Sequence, residues 1–190
     1  MKRNWLGFSG KESVFLIFVF LFVIGFTFIN LQDSYRKARD AQRKSDIRAI
    51  YDGLMAYQND FSHFPKALDG KIAACDPREV EKDVIVYGPC LWGEDALADA
   101  LDPDYPPYVA NLPRDPQWDK GATYLYISDG RNFQIYAALE GEDEDEFDPG
   151  IVARKLDCGG RICNFGRSDG KTPLDKSIEE YNNELNAKNK

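Results

Sequence analysis

Ser13-Val-Phe-Leu-Ile-Phe-Val-Phe-Leu-Phe-Val-Ile-Gly-Phe-Thr-Phe-Ile-Asn-Leu-Gln32 contains no charged residue. It is long enough to cross a bilayer core of about 30 Å at about 1.5 Å per helical residue. A core helix of a soluble domain rarely stays uncharged over such a length. A cleaved secretory signal fits worse. The apolar part exceeds a usual signal core, and Gly25 and Thr27 lead into Phe28, Ile29 and Asn30 rather than a small-residue exit. The stretch therefore reads as a membrane anchor, and the rest of the chain is organised by it.

Upstream lies a short basic leader, Met1-Lys-Arg-Asn-Trp-Leu-Gly7, followed by Phe8 and Glu12. Downstream, Asp33 to Asp60 alternates charge and hydrophobe. Ala38, Ala41, Ile47, Ile50, Tyr51, Leu54, Tyr57 and Phe61 fall at three- and four-residue steps, predicting a helix with one apolar stripe. Arg39, Arg43, Asp46 and Asp60 are placed on the opposite, solvated face. Asp33 with Lys37 and Asp40 with Lys44 are acid-before-base pairs four apart, each adding a few tenths of a kcal/mol. Nothing between Val14 and Asn59 forces a stop, and Gly25 and Gly53 are tolerated. One helix of some 45 residues, about 70 Å long, is expected. Pro65 ends it.

The chain has 190 residues and a formal charge of -8. Glu140, Glu142, Asp143, Glu144, Asp145, Glu146 and Asp148 concentrate that charge in one stretch, which repels nucleic acid. Cys75, Cys90, Cys158 and Cys163 all follow the anchor. An even count on one side of a membrane suits two disulfides in an oxidising space. Three pairings are open, and the shorter loops favour Cys75 with Cys90 and Cys158 with Cys163. A zinc site lacks a CxxC unit, and His63 is the single histidine. No catalytic constellation or nucleotide motif is present, so no enzyme is expected.

Residues 66 to 93 read as a loop, apart from the run Val84 to Tyr87. Glu94 to Leu101 reads as a short helix with acids at its start. Thr123 to Ser128 and Asn132 to Leu139 alternate as strands around Asp129-Gly130, an antiparallel hairpin within 123–139. The tail from 171 to 190 is polar, and Glu179 to Lys190 is expected to fray. The fold class is α+β: a long N-terminal transmembrane-to-amphipathic helix packed on a small antiparallel sheet.

The order Gly7-Phe8, then Glu12, then an apolar helix resembles the type IV pilins and type II secretion pseudopilins. The segment Ala38 to Ile50, running on to Tyr57, Phe64 and Pro65, is similar to the pseudopilin helix and its corner. Leu112-Pro-Arg-Asp115-Pro-Gln-Trp118 leading into Tyr124 and Phe133 resembles the family's Leu-Pro-x-Asp-Pro-Trp turn and hairpin. The resemblance covers residues 1 to 65 and 110 to 140. Gly10 and Lys11 stand where the family carries aliphatic residues.

The resemblance implies a leader at 1–7, cut between Gly7 and Phe8 by a prepilin peptidase, with N-methylation of Phe8. It implies a filament-core half of the helix at 8–32, an amphipathic half at 33–65, and a globular head at 66–170. Glu12 is the implied assembly residue, facing the amine of Phe8 on a neighbour, because a carboxylate in hydrocarbon needs a partner. The implied partners are copies of the chain, other pilins and an inner-membrane assembly platform.

The basic residues Arg36, Lys37, Arg39, Arg43 and Lys44 outnumber those before the anchor, which by itself would hold the head in the cytoplasm. The cysteines and the resemblance place the head outside. No cofactor is read from the residues. Major pseudopilins carry a late calcium loop, which makes Asp143, Asp145 and Asp148 candidate ligands, against the reading of a solvated acidic loop. The rival to a filament subunit is a single-pass anchored binding module that never polymerises.

Overall fold

A computed structural model describes residues 10–82 and 84–188. Two units divide the chain, Met1–Arg39 and Asp40–Lys190. Helix α1 (Gly10–Phe61) begins in the first and ends in the second. In the first unit, the described apolar residues from Val14 to Phe28 are 39–70% exposed. The helix is long and apolar enough to cross a membrane. Thr27 adds no unsatisfied hydroxyl, because its Oγ1 donates to the Val23 carbonyl at 2.8 Å. The first charges after the run pair locally: Asp33 bonds Arg36 at 2.9 Å and Lys37 at 3.1 Å. Hydrogen bonds from Arg36 and Lys37 hold the Asp33 carboxyl below its ordinary range.

In the second unit, α1 ends where Ser62 adopts a left-handed φ of 60° and donates its N–H to Gln58 O at 2.8 Å. Pro65 then prevents continuation. Two antiparallel three-stranded sheets follow. The first is β1 (Lys66–Leu68), β2 (Lys71–Glu81) and β3 (Val84–Pro89), in that order. The second is β4 (Leu125–Ser128), β5 (Phe133–Ala137) and β6 (Phe165–Ser168). The Tyr126 N–H to Gly70 O bond, 2.8 Å, ties the β1–β2 turn to β4. Helices α2 (Pro149–Ala153) and α3 (Ile178–Lys188) complete the unit. An α+β class is what the described residues show.

Strand β5 is buried along its whole length because it has a core on each face. Phe133, Ile135 and Ala137 join Ile47, Ile50, Leu54 and Tyr57 of α1, with Tyr124, Tyr126, Phe64, Ile72, Leu97 and Leu112. Tyr136 and Ala138 join Ile151, Cys158 and Cys163 on the other face. The period-2 alternation is thus between two cores. Each fully buried large side chain contributes about 1.5–3 kcal/mol.

Several sequence expectations are corrected. Residues 66–89 form a sheet, not a loop. Their strands carry Cys75, Asp76 and Pro77, and the β2–β3 register shifts around Cys75 and Arg78, which hides the period-2 signal. Glu94 to Leu101 is not helical. Leu97 instead exchanges backbone hydrogen bonds with Val109, at 2.9 and 3.1 Å. Most of the tail is helix α3. Its N-terminus is a capping box, with Ser177 Oγ accepting from Glu180 N–H at 3.1 Å and Glu180 accepting from Ser177 N–H at 2.8 Å. Low hydrophobicity hid that helix, but its start signal was legible.

The sulfurs pair Cys75 with Cys90 and Cys158 with Cys163. The first bridge closes the base of the β2–β3 hairpin.

Candidate functional site

Two features of α1 bear on function. Within the first unit, Glu12 lies in the first turn and is exposed. Gly7 and Phe8, the expected processing residues, lie outside the described residues. Gly10 and Lys11 begin the helix.

Within the second unit, the buried stripe of α1 starts with charge rather than with alanine. Asp40, Arg43 and Asp46 are buried, and the same three- and four-residue steps continue through Ile47, Ile50, Leu54 and Tyr57. Ala38 and Ala41 are exposed. Arg43 and Asp46 are therefore core residues, which corrects their assignment to a solvated face.

Arg43 is 0% exposed and reaches three carboxylates. Its Nε and Nη2 donate to Asp115 at 2.7 and 3.0 Å, a bidentate pair. Its Nη1 donates to Asp40 at 2.7 Å and to Glu140 at 2.8 Å. Burial opposes its charge, but the bonds from Asp115 and Glu140 win and raise its pKa. One cation against three acids leaves excess negative charge. Backbone donors take up the rest. Glu140 and Gly141 N–H bond Asp40 at 2.9 and 3.0 Å, and Gln117 N–H bonds Asp115 at 2.8 Å. Asp115 belongs to the Leu112 to Trp118 turn singled out by resemblance. Its job here is to clamp Arg43.

Asp46 accepts from Tyr124 Oη at 2.6 Å and from Gln42 Nε2 at 2.6 Å. Burial raises the Asp46 carboxyl despite those two bonds. Burial, then the neighbouring Asp46, raises Tyr124. In this buried bond the Tyr124 hydroxyl is the donor and the Asp46 carboxyl the acceptor.

The acidic stretch is fastened to the helix. Lys44 Nζ bonds Glu144 at 2.8 Å and Glu146 at 2.9 Å, and both bonds raise its pKa. The expected Asp40 to Lys44 pair does not form, since Asp40 is taken by Arg43 and the Glu140 and Gly141 N–H groups and Lys44 by Glu144 and Glu146. Asp148 N-caps α2, accepting Gly150 N–H at 2.8 Å. Among the described residues no group of three His, Cys, Asp or Glu is placed to hold a metal. Of the candidate calcium ligands, Asp148 accepts the Gly150 N–H at the start of α2, and the Glu144 and Glu146 between the three aspartates are held by Lys44.

His63 sits at the helix end. Its Nδ1 lies 3.0 Å from the Phe64 carbonyl, so that nitrogen carries the proton. No family model, curated protein or solved structure matches the chain.

Proposed function

We propose that this chain is a structural, pilin-like subunit of a type IV pilus or type II secretion-type filament. Its leader is removed between Gly7 and Phe8, and it polymerises through the apolar half of α1. The head stands outside the membrane, where its two disulfides persist. The observation that carries the reading is α1 itself. An uncovered apolar stretch with Glu12 in its first turn continues, without a helix break, into a half whose stripe is core. An anchor alone needs about 20 apolar residues and no acid at its start. A buried carboxylate is costly and is retained where a partner sets register.

The Arg43 clamp supports the same reading. A helix that transmits load between neighbours must be fixed to its head, and Arg43 and Lys44 fix it to Asp115, Glu140, Glu144 and Glu146. Glu12→Ala provides the test, read as cross-linking of neighbouring chains in membranes and as recovery in sheared filaments. The filament subunit loses both while its membrane level stays unchanged. A simple anchored module keeps its cross-linking pattern, and that result would contradict the proposal.

A further inference from the structure

One cleft of the head combines apolar walls with a basic rim. Its volume is about 530 Å³, and it lies between the α1 corner and strand β3. The walls are Tyr57, Phe64, Pro65, Ile85, Val86 and Tyr87. The basic side chains His63, Lys66 and Arg131 also line it, and among the described residues no lining side chain is acidic, in a chain of charge -8. All three are exposed. Among the described residues neither Lys66 nor Arg131 has an ion-pair partner for its side chain.

Tyr57 supplies a second, independent feature. It is 7% exposed, and its hydroxyl has no hydrogen-bond partner among the described residues. Burial pushes its pKa up to about 12, so it stays a neutral donor. The Tyr57 ring is buried but its hydroxyl oxygen is not sealed from solvent, so it can donate to an acceptor that enters the cleft. The frame is rigid. Phe64 N–H bonds Gly130 O at 2.9 Å, holding the Arg131 turn against the corner. The Asp129 carboxylate organises that turn, taking the N–H groups of Arg131 and Asn132 at 2.8 and 2.7 Å.

We infer that this cleft binds a small amphipathic carboxylate, with the apolar body against Phe64, Ile85 and Tyr87 and the carboxylate between Lys66, Arg131 and the Tyr57 hydroxyl. A mostly apolar pocket of some hundreds of Å³ with a few convergent polar groups is the usual form of a ligand site. The cations choose the ligand's sign. This assignment does not depend on whether the chain polymerises.

The test uses the full chain in nanodiscs with methyl-labelled Ala, Ile and Val. The probes are 4-phenylbutyrate, 4-phenylbutanol and 4-phenylbutylamine, which share one body and differ in charge. The acid has about 12 non-hydrogen atoms, so saturation at millimolar concentration or below is expected. It should shift Ala73, Ile85 and Val86 and leave Ile47 and Ile50 in place. The alcohol and the amine, which lack the charge-assisted bonds, should bind about tenfold more weakly or worse. Lys66→Glu with Arg131→Glu should cost the acid a similar factor and leave the alcohol unchanged. Tyr57→Phe should weaken the acid several-fold with little effect on the alcohol. Equal binding of acid and alcohol, an acid affinity indifferent to the charge reversals, or no saturable shift at these three residues would each overturn the assignment.

Discussion

Arg43 shows how a single side chain can hold an element in place. Deleting its guanidinium leaves Asp40, Asp115 and Glu140 without their shared cation. Arg43→Met should therefore lower the stability of the head by about 3–5 kcal/mol in urea unfolding. Arg43→Lys should recover only part, because an ammonium cannot bond Asp115 in two places at once. Asp46 gives a prediction with a pH sign. Its carboxyl has an ordinary value of 3.8, and burial raises it in the fold. The folded state therefore binds the Asp46 proton more tightly than the unfolded chain does. Its contribution is fully present below the ordinary value and is lost as pH rises through the folded one. The stability of Asp46→Asn should gain on the wild type across that window, measured as the difference between denaturant midpoints from about pH 3 to pH 7. A difference that stays flat with pH would contradict the assignment. Glycine matters at Gly159, where φ is +77° and an added Cβ would lie 1.9 Å from the Gly121 carbonyl oxygen. Gly159→Ala should cost more than the usual penalty of about 1 kcal/mol for a left-handed alanine, since backbone must move as well.

At the scale of elements, helix α1 was legible because its period and its lack of breakers agree over 52 residues. What the sequence hid was the polarity of its buried face. Asp40, Arg43 and Asp46 keep the same spacing as Ile47, Ile50 and Leu54, but charge is conventionally read as solvent-facing. A stripe read from hydrophobicity alone therefore starts at Ala38 and Ala41. Only partners that are distant in sequence, Asp115 and Glu140, make burial of Arg43 tolerable, and local pattern cannot show them. The hairpin β4–β5 was legible from alternation around Asp129-Gly130. Strand β6 was not, because Gly166 and Arg167 break its pattern. The sheet β1–β3 depends on its bridge. Cys75 and Cys90 are 15 residues apart, against 5 for Cys158 and Cys163. Loop-closure entropy assigns about 3 kcal/mol to the first and about 2 to the second. Replacing Cys75 and Cys90 by Ser should thus lower the thermal midpoint more than replacing Cys158 and Cys163. The opposite order would mean that native-state contacts of the second bridge outweigh chain entropy.

For the whole molecule, the first unit offers an apolar surface that water does not tolerate, and the second holds two hydrophobic clusters of its own. Patches of exposed apolar area on this scale mark contact with a membrane or with other proteins. The proposed filament uses both, with the membrane storing subunits and neighbouring helices covering the same residues after assembly. The net charge of -8 would favour mutual repulsion between heads in such a filament. In the proposed filament, assembly would rest on processing at Gly7 and Phe8, which would turn an anchored precursor into a chain whose new amine can face Glu12 of a neighbour. The most direct test is an intact-mass measurement of the chain recovered from its native membrane. A mature chain beginning at Phe8, without Met1 to Gly7, is predicted. A chain that still begins at Met1, with its anchor intact, would contradict the account.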